Sequence, residues 1–224
     1  MIARLWLDRA INRECSSTMR IRHLAAATLA LISVPALAQI ATTPQQPGQP
    51  IASRVPAGTY QVDPAHTQVS WQVNHMGFSM LEGQFGASAG SIVIDPAKPN
   101  DTKVDVTFQV DQLSTTAPRF TEHLKSKDFF DAAANPTARF VSTAVRATGD
   151  KATITGNLTI KGVTKPVTLN ATFVGAGANP MSKKLNFGFR ATGTINRSDF
   201  GLGYATPVVG DKVDLTINAA FAAS

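Results

Sequence analysis

Residues 213–221, Val213-Asp214-Leu215-Thr216-Ile217-Asn218-Ala219-Ala220-Phe221, decide the fold. Apolar side chains stand at 213, 215, 217, 219 and 221, with polar or small ones between them. Successive side chains of a strand point to opposite faces, so this stretch reads as a strand with one core face and one wet face. The same alternation recurs in Val69/Trp71/Val73, Val104/Val106/Phe108/Val110, Ile154/Gly156/Leu158/Ile160, Val167/Leu169/Ala171/Phe173 and Leu185/Phe187/Phe189/Ala191. Turn signals separate the runs: Asp95-Pro96, Pro99-Asn100, Gly149-Asp150, Gly162, Asn179-Pro180 and Gly210-Asp211. Strands do not alternate with helical patterns, so the sheet is antiparallel and the fold all-β.

One segment breaks the pattern. In residues 117–131, APRFTEHLKSKDFFD, Pro118 suits a helix start, and Phe120, His123 and Leu124 share a helical face. A short helix followed by Phe129-Phe130 reads as a plug or lid on a sheet edge. About eight strands and one short helix fit either a sandwich or a closed barrel, and periodicity does not choose between them. Gly77, Gly83, Gly86 and Gly90 form no phosphate-binding loop, and in a strand-rich region they read as bulges that bend the sheet toward closure.

Upstream, residues 39–58 carry Pro44, Pro47, Pro50 and Pro56 among Gln, Thr and Ala, which reads as a flexible linker, with order expected near Thr59. Before it, Arg20, Arg22 and His23 precede the apolar run 24–38, LAAATLALISVPALA. A basic flank, this h-region and the Ala36-Leu37-Ala38 ending make residues 1–38 a signal peptide; a retained membrane anchor is the other reading. The run is shorter than the roughly 20 apolar residues a spanning helix needs. Met19 stands just ahead of the basic flank and is a candidate true start. The expected organisation is thus a signal over 1–38, a linker over 39–58 and a barrel-sized domain over 59–224.

The 224 residues, 43% apolar and 16% charged, suit a single domain with a sizeable core. The pI near 9.7 raises nucleic acid as a partner. Removing residues 1–38 takes away five Lys/Arg and two Asp/Glu, leaving 16 against 13, a net charge of +3 with no basic stripe. Nucleic acid is therefore not an expected partner. The single cysteine, Cys15, leaves with the signal, so no disulfide framework or cysteine metal site is expected.

His66, His75 and His123 remain, at spacings that form no metal-binding pair, and no metal or other cofactor is expected. No G-x-S-x-G serine, no nucleophilic cysteine and no isolated pair of carboxylates supports catalysis, so the chain is not read as an enzyme. His75 continues the inward face of Val69, Trp71 and Val73, as a core histidine bonded locally or as a group shown to a ligand's head. In Asn196-Arg197-Ser198-Asp199-Phe200-Gly201, Arg197 is expected either to pair with Asp199 or to touch a ligand.

Residues 60–67, YQVDPAHT, followed by 71–77, WQVNHMG, resemble the opening of the YceI-like family of bacterial lipid-binding proteins. The likeness continues through 83–85 (GQF), 90–96 (GSIVIDP), 123–126 (HLKS), 128–132 (DFFDA), 135–140 (NPTARF), 156–167 (GNLTIKGVTKPV), 196–201 (NRSDFG) and 209–213 (VGDKV). It implies an elongated, lipocalin-like antiparallel barrel, although the lipocalin G-x-W signature is absent here. It also implies an exported, non-catalytic carrier whose lumen holds a polyisoprenoid, an isoprenoid quinone or a fatty-acyl chain. The family usually places an acidic residue two before the helix histidine; Thr121 stands there in this chain, so an ion pair at that place is not expected.

On this reading Trp71, Val73, His75, Phe85, Phe108, Leu124, Phe129, Phe140, Leu158, Phe187, Phe189 and Arg197 face the ligand. The expected location is the periplasm or the exterior, with transient membrane contact and homodimerisation as further expectations. A solidly packed interaction module is the alternative function, and a lipid-modifying enzyme comes third.

Overall fold

The computed structural model describes residues 45–224. The expected signal, residues 1–38, and the start of the expected linker lie outside the described residues. The alternating segments form β1 (Gly58–Val62), β2 (Gln68–His75), β3 (Ser79–Ile94), β4 (Lys103–Gln109), β5 (Thr137–Thr148), β6 (Lys151–Ile160), β7 (Val163–Ala178), β8 (Leu185–Asn196) and β9 (Val209–Ala222). All pair antiparallel in the order β1-β3-β2-β9-β8-β7-β6-β5-β4, and the further β3–β4 and β1–β9 pairings close the sheet into a ring. Closure chooses the barrel over the sandwich and satisfies the backbone groups an open edge would expose.

Nine strands fill eight positions because β1 and β2 share one. β1 pairs with the end of β3 (Gly58↔Ile94) and the end of β9 (Val62↔Phe221), whereas β2 pairs with the start of β3 (Gln68↔Gly86) and earlier β9 residues (Gln68↔Asn218). The two therefore lie end to end in one stave. The break is a 3₁₀ turn, Pro64–His66, capped by the Asp63 carboxylate, which accepts from the Ala65 N–H at 3.1 Å. Just after it the buried Thr67 hydroxyl donates to the Ala220 carbonyl at 3.1 Å and accepts from the Ala220 N–H at 2.9 Å, replacing the ladder bonds the turn removes.

The 16-residue β3 pairs with both β2 and β1 along one edge and carries a register shift against β4 between Ala87 and Ala89. At Gly90, φ is 139°, and a Cβ would lie 2.2 Å from the Asp105 carbonyl on β4, so only glycine fits.

The helix, α1 (Pro118–Lys125), connects β4 to β5. It covers one end of the barrel rather than a sheet edge, because a closed ring leaves no edge to plug. There Phe120, Leu124, Phe129 and Phe130 pack with Trp71, Val73 and Phe85. Elsewhere Val55, Tyr60, Phe173, Phe187 and Phe221 form a separate cluster that makes the floor.

The linker expectation over 39–58 is corrected for its later residues. Gln49 bridges Ala176 on the tail of β7, with N–H to carbonyl distances of 3.1 Å and 2.9 Å, and Ala52–Arg54 makes a 3₁₀ turn. Val55 is 1% exposed within the floor. The tail of β7 runs past its β6 partner, whose ladder ends at Lys151↔Thr172, so backbone groups there need another partner, and Gln49 provides one for Ala176.

Candidate functional site: the barrel lumen

Inward-facing rows from the eight staves enclose a cavity of about 900 Å³, lined by residues from β2 to β9, from α1 and from the segment before β1. A pocket that holds a small ligand typically measures about 300–1,000 Å³, so this one is large. Of the residues expected to face a ligand, Trp71, Val73, His75, Phe85, Phe108, Leu124, Phe129, Phe140, Leu158, Phe189 and Arg197 all line it.

Phe187 does not. Its ring stacks on Phe221 at 5.7 Å and meets the edge of Tyr60 at 4.8 Å, deep in the floor cluster. Alternation gives the face of the strand on which Phe187 lies, but not its height along the barrel axis.

Ala171 and Ala191 stood in the apolar rows of the sequence, but neither they nor Ala138 were expected to face a ligand; these residues of β7, β8 and β5 line the cavity. Their small side chains leave the space open, and alanines in otherwise bulky inward rows were the available signal. Ala52, Ser53 and Val55 also line it, and their Pro/Gln-rich setting concealed them.

Polar groups are few along the wall, and those at the α1 end are His75, His123, Tyr204 and Arg197. The His123 Nε2 lies 3.3 Å from Asp128 Oδ2, and its ring meets Phe129 at 5.1 Å and Tyr204 at 5.7 Å, both edge-on. Asp128 thus supplies the carboxylate that Thr121 cannot; Thr121 Oγ1 instead lies 2.8 Å from Thr115 Oγ1. His66, remote from this end, pairs with Asp63 at 2.7 Å. The buried Trp71 Nε1–H has no acceptor among the described residues. No cluster of three or more His, Cys, Asp or Glu that could hold a metal ion occurs among the described residues.

Arg197 does not pair with Asp199 as expected. It is buried, and its Nε donates to the Gly210 carbonyl at 2.8 Å, Nη1 to those of Tyr204 at 2.8 Å and Leu202, and Nη2 to that of Val209 at 3.0 Å. A buried guanidinium must place its N–H groups, and the returning loop 202–210 turns four carbonyls toward it. Burial lowers the Arg197 pKa below its ordinary value, and nearby Asp211 opposes that shift. The Asp211 carboxylate itself accepts from the Ser198 N–H at 2.8 Å and hydroxyl at 2.6 Å.

A family model described as a YceI-like domain matches residues 60–221. A UPF0312 protein of Pseudomonas putida is 41% identical over 154 residues, covering 67% of this chain and 80% of that protein. Among solved structures, BcnA of Burkholderia cenocepacia superposes with a TM-score of 0.61 at 31% identity, covering 71% of this chain and 98% of its own. A polyisoprenoid binding domain from Saccharophagus degradans gives a TM-score of 0.55 at 12% identity, over 74% of this chain and 98% of that one, a likeness of fold alone.

Proposed function

The chain belongs to the YceI-like family, and from that premise we propose that it is a non-catalytic carrier holding one long apolar molecule, a polyisoprenoid, isoprenoid quinone or fatty-acyl chain, in the barrel lumen. The observation that carries this reading is the cavity of about 900 Å³ whose wall is predominantly apolar.

Energetics favour long cargo. Each buried CH₂ contributes about 0.8 kcal/mol, so roughly ten of them give about 8 kcal/mol gross. Against an association cost of about 8 kcal/mol, within the range of roughly 4–15, a chain of that length gains almost nothing. About twenty carbons give about 16 kcal/mol gross and reach micromolar affinity. Such a site selects for length and tolerates variation in the chain itself. The basic flank and apolar run of residues 20–38 support export of the carrier, to the periplasm or the exterior.

Native mass spectrometry of the mature protein, purified without detergent, tests the proposal. A stoichiometric long-chain species, released and identified by solvent extraction, is the expected result. If the protein emerges empty, isoprenoid quinones and fatty amides are added back. Failure of all of them to bind at micromolar concentration overturns the carrier in favour of a packed interaction module.

A further inference from the structure

The cavity end near α1 is bordered by an exposed apolar rim made by two neighbouring turns. His75 at the end of β2 pairs with Val209 at the start of β9, which sets the β2–β3 hairpin beside the loop that enters β9. Phe78 on the hairpin is 87% exposed and Val208 on the loop 61%, with Met76 and Tyr204 about half exposed beside them. Single exposed apolar residues are ordinary, but four on adjoining turns form a patch.

Both turns hold a non-glycine residue in the left-handed region, Met76 at φ 58° and Ala205 at φ 60°, a conformation that is costly for such side chains. Residues 76–81 and 200–209 contain no charged side chain. Met76, Tyr204 and Ala205 also line the cavity, so the rim is continuous with the lumen.

We propose that this rim docks on the surface of a lipid bilayer, with Phe78 and Val208 inserted among the lipids while the lumen opens toward them. This deepens the carrier reading and rests on it, since it names the partner from which the cargo is drawn. Phe78 and Val208 stand exposed on turns and do not line the cavity. These turns carry no charge that insertion would strip of water, and Tyr204 has the apolar body and polar tip that suit a membrane–water boundary.

The test uses flotation of the mature chain with vesicles of phosphatidylcholine alone and of phosphatidylcholine with phosphatidylglycerol. Alongside it, uptake of cis-parinaric acid is followed both from ethanol solution and from preloaded vesicles. The parent chain is expected to float with both vesicle types, and to do so in high salt. Phe78→Asp and Val208→Asp are expected to lower the bound fraction roughly tenfold or more and to slow uptake from vesicles, while loading from ethanol stays unchanged.

A parent chain that does not float overturns the proposal. So does flotation unaffected by either substitution, binding confined to the anionic vesicles and lost in salt, or self-association through the rim without flotation. If the chain floats and Phe78→Asp abolishes it, but no probe loads from ethanol, the rim stands and the carrier reading fails.

Discussion

Trp71 and Gly83 face each other across β2 and β3, and the indole fills the space a side chain at 83 would need: a Cβ there would lie 2.3 Å from Trp71 Cζ2 and 2.8 Å from the Ser114 carbonyl. Gly83→Ala must therefore push the ring into the lumen or distort β3. Overpacking of this kind costs about 1–3 kcal/mol. In a domain of this size the melting temperature should fall by roughly 2–4 °C for each kcal/mol. An unchanged melting temperature together with unchanged Trp71 emission would show that the ring does not depend on glycine there.

Arg197 ties the start of β9 to the loop before it through four main-chain carbonyls. Lysine keeps the charge but offers a single ammonium in place of the planar fork. Arg197→Lys should leave buried carbonyls without donors, at about 1–3 kcal/mol each. A total loss near 3 kcal/mol or more in urea unfolding is expected. A loss below about 1 kcal/mol would mean that water replaces the fork without penalty.

The outer face offers a pH test. Arg139 Nε donates to Asp105 Oδ1 at 2.8 Å and Nη2 to Oδ2. The hydrogen bonds from Arg139, helped by its charge and partly opposed by burial, hold the Asp105 carboxyl below its ordinary pKa. A carboxyl whose folded pKa is depressed contributes stability above its unfolded pKa, about 3.9, and loses it as the pH falls through the folded value. Asp105→Asn should be less stable than the parent at neutral pH, and the gap should close as acidification passes below the unfolded pKa and through the lower folded one. Added salt should narrow it too, because the pair is exposed. Urea midpoints for both proteins at neutral and acid pH decide this, and a gap constant with pH removes the ion pair from the account.

The rows Val69/Trp71/Val73 and Val213 to Phe221 were legible in the sequence because a half-buried strand writes its burial into every second residue. Two other kinds of information were not. Height along the barrel axis is invisible to a period of two, so Phe187 and Phe189 read alike although one lies in the floor and the other faces the cavity. Irregular backbone is also silent: residues 47–55 have linker composition, yet they are held by hydrogen bonds from Gln49 and the burial of Val55. Arg197 misled for a related reason, since main-chain carbonyls carry no sequence signature and Asp199 stood conspicuously near.

That docked segment carries its own expectation. Val55 is almost wholly buried in the floor, so Val55→Ala should cost about 2 kcal/mol. Limited proteolysis should cut ahead of Pro47 and spare 49–55 in the parent, then advance into that stretch in the variant. Equal cleavage across 45–58 in both proteins would return the segment to a free linker.

Ala191 distinguishes an open lumen from a packed core by the sign of one measurement. It lies on β8 between Ala171 and Ile217, and all three line the cavity. In a filled core, Ala191→Phe would force its neighbours off their rotamers and cost about 1–3 kcal/mol. In an open lumen the ring enters unfilled space and gains contacts, so the melting temperature should hold or rise. The same ring would obstruct the middle of the cavity, and the longest chains retained in native mass spectra should be lost before shorter ones. Stability that holds while the retained length shrinks identifies the lumen as the binding site. A destabilised variant with unaltered cargo would place the ligand elsewhere.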